Sequence, residues 1–389
     1  MKIRISLLLA LTLALSGCGQ AESTEDTWSD AVRIEFSDDS VTVDGNAASA
    51  DSAVYTENDI IFYLEGQGVT YGEGTEADAH SQAEADAHTV VHITQPGTYV
   101  LSGELSAGQI AVDLGEGAET DPEAVVTLVL DGVDITCTVA PAVMFYRVYE
   151  CGSTDGDAAS WEVDTSAAGA NIMIADGTEN TIRGSYVARI YDPESVTLSE
   201  DGTEVEDAKK LHKYDGAFYS RMSMNVSGGA AGTGVLNIYG ENEGLDTELH
   251  LTIQSGVINI FSGNDGINTN EDGVSVTTIN GGALSIQVTG ETGEGDGIDS
   301  NGYLVINGGT VTAAACSQSA DAGLDADKGI LINGGTVTAS GNMLDNIETG
   351  GQNYAVFSFT SRQSGGTYRL KDSSGIKDVI WFCERMAFI

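Results

Sequence analysis

Ile253-Gln254-Ser255-Gly256, Ile279-Asn280-Gly281-Gly282, Ile306-Asn307-Gly308-Gly309 and Ile332-Asn333-Gly334-Gly335 are four versions of one phrase. Their isoleucines stand 26, 27 and 26 residues apart, and Val226-Ser227-Gly228-Gly229 fits one step earlier, 27 residues before Ile253. A fixed period of this length marks a stack of identical structural units. After each glycine pair the apolar positions alternate with polar ones: Ile258 and Ile260 match Leu284 and Ile286, then Val311 and Ala313, then Val337 and Ala339. Period two means strands with one face inward.

A third element precedes each phrase. Glu243-Gly244-Leu245-Asp246 matches Asp265-Gly266-Ile267-Asn268 and Asp296-Gly297-Ile298-Asp299. Ala322-Gly323-Leu324-Asp325 is a variant, Leu344-Asp345 a fainter echo, and Asp215-Gly216 opens the earliest copy. Three short strands and three glycine turns per unit give an all-β solenoid, a right-handed parallel β-helix with coils of about 26 residues. A sandwich or propeller would need hairpin signals and longer strands, which these repeats lack. Asn280, Asn307 and Asn333 recur beside one turn, where a ladder of side-chain amides satisfies turn backbone and each other. Upstream, from Val90 to Ile182, short apolar runs continue less regularly and read as early coils or a strand-rich cap.

The ends differ. Lys2 and Arg4, an apolar run from Ile5 to Leu15, and Leu15-Ser16-Gly17-Cys18 form a secretion signal with a lipobox-like cleavage site, so that Cys18 would carry lipid. The apolar run is too short for a permanent span. We divide the chain into a signal peptide (1–17), a linker (18–30), a strand-rich cap with an acidic insert (31–89), the β-helix (90–350) and a C-terminal segment (351–389). In the insert, Ala77-Asp78-Ala79-His80 recurs as Ala85-Asp86-Ala87-His88 and reads as a solvated loop, with a His/Asp metal clip as the alternative. Residues 200 to 213 read as a polar excursion with a brief helix. Cys137 and Cys316 lie in apolar runs and read as buried thiols, although a secreted chain permits a Cys137–Cys151 bridge.

The formal net charge is -43, and without Lys2 and Arg4 it is -45. Nucleic acid is excluded as a partner, since phosphate binding needs clustered lysine and arginine. Asp246, Asn268, Asp299 and Asp325 fall at one repeat position, and Glu243, Asp265, Asp296 and Asp321 at another. Equivalent positions on adjacent coils lie ~4.8 Å apart, where two carboxylates repel by roughly 3 to 4 kcal/mol at an effective dielectric near 20. Between Arg221 and Arg362 the only basic residues are His250 and Lys328, against 16 acids. Hard cations with oxygen ligands relieve such a cluster, and flexible carboxylates suit Ca²⁺. The competing reading is that these acids face solvent at turns, where Asp-Gly is favoured for its backbone. Tyr239 and Phe261 occupy matching outward positions one coil apart, with Tyr303 as a weaker member at the start of an outer strand. Exposed stacked rings bind sugar faces, and an aromatic stack under a loop is the alternative.

The series from Ile93-Thr94-Gln95-Pro96-Gly97-Thr98-Tyr99-Val100-Leu101-Ser102-Gly103 through the Asp-Gly-Ile-Asp and Ile-Asn-Gly-Gly units resembles the bacterial carbohydrate-binding domain-containing family of secreted β-helix proteins, over roughly residues 90 to 370. That family is related in fold to pectate-lyase-like proteins. The resemblance implies calcium binding and affinity for plant-type polysaccharides, acidic ones included. The insert at 73–88 departs from the family pattern, and Lys377 to Ile389 reads as an altered or truncated terminus. We therefore expect a lipid-anchored protein on the extracellular face of the cell membrane that binds polysaccharide without cutting it, with calcium. The alternatives are a calcium-dependent polysaccharide lyase, for which Lys328 is the only cationic base in the repeats, and a purely structural or adhesive surface solenoid. No Ser/His/Asp set, HExxH or phosphate loop appears.

Overall fold

The computed structural model describes residues 28–50 and 52–359, together with the strands Gly366–Tyr368, Lys371–Asp372, Gly375–Ile376 and Trp381–Cys383. The signal segment, Cys18, the linker as far as residue 27 and most of the stretch from Lys377 to Ile389 lie outside the described residues.

The chain winds into a parallel β-helix with three faces. On the first, Thr89–Ile93, Gly108–Asp113, Val143–Arg147, Gly216–Ser220, Glu243–Thr247, Ile267–Thr269 and Ile298–Ser300 stack in that order, all parallel. The second face runs through Ala170–Ile174, Met224–Gly228, Leu251–Ile253, Val276–Ile279, Tyr303–Ile306 and Gly329–Ile332. The third runs through Glu179–Gly184, Val235–Gly240, Val257–Ser262, Ala283–Val288, Thr310–Ala314 and Thr336–Ser340. Two long early strands, Gly97–Leu105 and Val126–Cys137, turn the corner between the second and third faces without breaking, so the two faces form one 17-stranded sheet.

The repeat phrase explains the corner. Ile253, Ile279, Ile306 and Ile332 pair coil to coil and are all buried, one continuous apolar column. Outside it the amides form the expected ladder: Asn280 donates to Gln254, Asn307 to Asn280 and Asn333 to Asn307, each at 2.9 Å. The two glycines have different jobs. A Cβ on Gly308 or Gly334 would lie 2.6 or 2.5 Å from the carbonyl oxygen of the asparagine one coil before. Gly309 and Gly335 turn the chain at φ +81° and +88°, which side chains resist.

Irregularity concentrates before Met224. Val32–Ser37 joins the second face in parallel and then folds back through the antiparallel strands Ser40–Val43 and Asn46–Ala47, which close that end. The 73–88 insert is largely a solvated run of turns, as its sequence reads, tied down at its far end. Ser81 and Glu84 cap a helical turn, Gln82–Ala85, and the buried His88 donates from Nδ1 to Glu84 O at 2.8 Å while Nε2 accepts from Thr138 N at 3.2 Å. Residues 200 to 213 hold no helix: Val187–Tyr191 pairs antiparallel with Lys210–Tyr214, and Thr197–Leu198 with Val205–Asp207, making a two-tier hairpin flap. The alternating partner strand decides this, since an isolated polar helix of that length would not hold itself together. Cys137, Cys151 and Cys316 are free thiols, so no Cys137–Cys151 bridge forms; burial pushes the Cys137 thiol up to about 11.

Candidate functional site

The first face carries the acids. Asp246, Asn268 and Asp299 are register partners on successive coils, with Asp325 continuing the line through its backbone bond to Ile298 O. They do not point into solvent: Asp246 and Asn268 are buried, and Asp299 and Asp325 half-buried. The second line is less regular. Asp265 accepts from Asp296 N at 2.6 Å and Asp296 from Ala322 N, so each carboxylate caps the next coil. Ala322, rather than Asp321, occupies the next equivalent position, and Asp321 reaches back to Gly295 N at 2.7 Å.

At the head of these lines is a cluster that the repeats alone did not reveal. Glu243 and Asp246 are buried, with Asp265 below them and Asp215 above. Asn268 Nδ2 donates to Glu243 Oε1 at 3.0 Å, and Asn270 Nδ2 to Asp246 Oδ1 at 2.7 Å. Glu243 Oε2, Asp246 Oδ2 and Asn268 Oδ1 are buried with no hydrogen-bond partner. Three orphaned oxygens in one cluster are costly unless a proton or a cation meets them. The neighbouring cation is Lys213, whose ammonium lies 2.7 Å from Asp215 Oδ2. It reaches the cluster because the flap strand Lys210–Tyr214 delivers it. A cleft of about 370 Å³ lined by Lys213, Asp215, Glu248 and Asn270 opens beside the cluster.

Burial, and then the charges of Asp246, Asp215 and Asp265, holds Glu243 well above the carboxylate range; burial, then Asp215 and Glu248, does the same to Asp246. Further along, burial and like charges push Asp265 up to about 6, Asp299 to about 7 and Asp296 to about 8. Asp325 is also raised, by burial and then by Asp345. Burial pulls Lys213 down, but Asp215 outweighs it and holds the ammonium above its ordinary value. Lys328 is exposed, its stem lying against Gly273, and no ion pair among the described residues joins it to the acids.

Among the described residues, one set of three acid or histidine donors lies mutually within 4.8 Å, and it is Glu57, Asp59 and His92 in the cap rather than the first-face acids; His92 Nε2 is 2.7 Å from Asp59.

The aromatic residues fall on two faces. Tyr239 and Phe261 are register partners on the third face, their rings 5.2 Å apart and 11° from parallel, with Tyr239 39% exposed. No loop covers Tyr239. Arg183, one coil earlier in the same column, lies over its ring at 5.2 Å while bound to Asp134 at 2.6 Å. The column continues as Gln287. Ring, ring and amide thus line one exposed strip. Tyr303 is not part of it: the structure puts it on the second face, edge-on to Trp161.

The frame is a parallel β-helix with a partly exposed aromatic strip on one face and a column of acids on another. The chain belongs to the carbohydrate-binding domain-containing protein family, whose model matches residues 87–364. Among solved structures, the chain is similar to one described as the polysaccharide lyase-like protein from C. thermocellum, in a gadolinium derivative: 22% identity, 82% of this chain and 98% of that chain covered, TM-score 0.41. Comparison with curated proteins gives no match.

Proposed function

We propose that this chain is a lipid-anchored surface protein, held outside the cell through Cys18, that binds polysaccharide without cutting it and holds Ca²⁺ among the first-face acids. The observation that carries the binding reading is the stacked Tyr239–Phe261 pair, with Tyr239 exposed and Phe261 half-buried, on the third face of a carbohydrate-binding family member. The two rings are stacked one coil apart, so they present their edges and the Tyr239 hydroxyl along the strip, where the C–H groups of a pyranose can pack, and Arg183 and Gln287 in the same column offer polar partners for hydroxyls.

The donor set fits calcium. Carboxylates and an amide oxygen are hard ligands, and the orphaned oxygens of Glu243, Asp246 and Asn268 are the atoms a cation would satisfy. Glu243, Asp246, Asn268 and Asp215 would hold it, and further ions would suit Asp265, Asp296 and Asp299. Bound calcium would neutralise a surface that otherwise repels any acidic glycan.

A lyase needs an unprotonated base beside the sugar. Lys213 is the cation closest to the acids, and its ion pair with Asp215 favours the charged form. That supports binding over elimination.

The test is retention on immobilised neutral and acidic polysaccharides, with calcium and with chelator, for the chain and for Tyr239→Ala and Phe261→Ala. We expect retention that both substitutions weaken, with no unsaturated product. Steady release of unsaturated oligosaccharide, lost in Lys213→Ala, would replace this reading with a lyase.

A further inference from the structure

Residues 148–169, between Val143–Arg147 and Ala170–Ile174, leave the solenoid and lie over the outside of the second face. The segment is pinned. The Thr165 hydroxyl lies 2.7 Å from both Asn225 Oδ1 and the Thr252 hydroxyl, and Thr165 O accepts from Asn225 Nδ2 at 2.8 Å, all three residues being buried. Gly152 presses so closely on His250 that a Cβ there would lie 2.6 Å from the imidazole.

Beneath it runs an outward column. His250 accepts from Val276 N; Val276 pairs with Tyr303, and Tyr303 with Gly329. The first two rungs, His250 and Val276, are buried, with Gly152 of the segment against His250. At the third this burial ends. Trp161 meets Tyr303 edge-on, with centroids 5.9 Å apart and planes at 79°, and stays 49% exposed. The fourth rung, Gly329, has no side chain of its own, and the Glu348 side chain fills that space, its Oε1 accepting from Asn346 Nδ2 at 2.9 Å. Glu348 is exposed, with Oε1 2.9 Å from where a Gly329 Cβ would be, and the neighbouring Lys328 is exposed too, its stem running against Gly273.

We infer that Trp161 and Tyr303, with Glu348 over Gly329 beside them, form a second saccharide subsite, for a neutral pyranose, on a different face from the Tyr239–Phe261 strip. The inference rests on the reading that this chain binds polysaccharide. Two rings set edge to face on a held segment make a corner against which the apolar face of a sugar can pack, and the exposed Glu348 and Lys328 offer an acceptor and a donor to its hydroxyls. A large indole left half-exposed on a segment held by buried hydrogen bonds is a preorganised contact surface. The rim selects against uronates: Asp327 and Glu348 are exposed there, and one lysine does not offset both.

The test uses the full mature chain, with cellohexaose and mannohexaose as neutral probes and hexagalacturonate as the charged one. Tryptophan emission and calorimetry are read together. A neutral hexasaccharide should shift the emission, Trp161→Phe should remove that shift, and Trp161→Ala or Tyr303→Ala should weaken calorimetric affinity at least tenfold with an unchanged circular dichroism spectrum. Persistence of the shift in Trp161→Phe, or affinity unaltered in both alanine variants, overturns the subsite. Trp161-dependent binding of hexagalacturonate alone overturns the neutral assignment. A wild-type chain that retains no glycan of any kind removes the polysaccharide reading itself; one that binds glycan identically with and without Trp161 removes only this subsite.

Discussion

The coils from Met224 to Ser340 and those from Thr89 to Ser220 are built on the same three faces but behave differently. In the later set, register partners follow one another without a shift from strand to strand on all three faces. In the earlier set the connections grow into the pinned segment 148–169 and the flap around Val187–Tyr191 and Lys210–Tyr214. Both excursions lean on the regular coils. The flap brings Lys213 to the acids, and the pinned segment sets Trp161 on Tyr303. Regular coils supply rigid columns of identical chemistry; the excursions break the identity and select one rung for use. Tyr239 and Phe261 follow the same rule, since their column acquires a cation only where the irregular coil supplies Arg183.

If the regular coils carry the stability, the largest loss should come from their inner column. Ile279 is fully buried between Ile253 and Ile306, and its truncation leaves a cavity that stacked neighbours cannot collapse into. Ile279→Ala should cost about 2 to 5 kcal/mol, read as a shift of the denaturation midpoint. Trp161→Ala should shift it far less. Equal losses would erase the distinction between the two regions.

The acid column should respond next, and with a definite sign. Asp265, Asp299 and Asp296 hold protons in the folded state up to about pH 6, 7 and 8, whereas the unfolded groups release them near the ordinary 3.8. Across that window the folded state binds more protons than the unfolded one, so stability present at low pH is lost as pH rises. In chelator, Tm should fall steadily between pH 5 and 8. Millimolar Ca²⁺ should flatten the fall by binding the folded state. A profile unaffected by calcium would remove the metal from the proposal. Asp246→Asn keeps the shape and removes a buried charge. In chelator at pH 8 it should stabilise the chain by about 1 to 3 kcal/mol and blunt the calcium response.

How far all this was legible follows from the same contrast. The isoleucine column, the amide ladder, the Tyr239–Phe261 pair and the line Asp246–Asn268–Asp299 were readable because a 26- or 27-residue spacing converts sequence directly into contact. Lys213 and Trp161 sit in segments without a repeat, and nothing local states which coil they return to. Asp215 was visible only as Asp-Gly opening the first copy. Tyr303 misled because alternation fixes the side of a strand but not which of two outer faces the strand belongs to. The flap read as a polar helix because its strand pairs with Val187–Tyr191, from the far side of the excursion.

The amide ladder should matter less than the column inside it. Asn307 accepts from Asn333 and donates to Asn280, but all three side chains are reachable by water. Asn307→Ala should cost about 1 kcal/mol, the ordinary net worth of such hydrogen bonds. A loss as large as that of Ile279→Ala would mean that the corner, rather than the core, sets the register of the coils.

The smallest effect on stability should accompany the clearest effect on function. Tyr239 faces outward, its ring stacked on Phe261 under the Arg183 guanidinium, so removing it opens no cavity in the core. Tyr239→Ala should move the denaturation midpoint by no more than about 0.5 kcal/mol, as surface changes do. Yet the strip depends on two rings lying 11° from parallel, and one ring alone offers a single sugar contact. Loss of a stacking partner worth about 1.4 kcal/mol is a tenfold loss in affinity, and that is the expected drop in polysaccharide retention. Tyr239→Phe keeps the ring and should keep most of the binding. If Tyr239→Ala lowers stability and affinity together, the strip is structural and the glycan lies elsewhere. If it lowers affinity alone, the regular coils are more than scaffold, because the third face then binds with residues that its own repeat placed there.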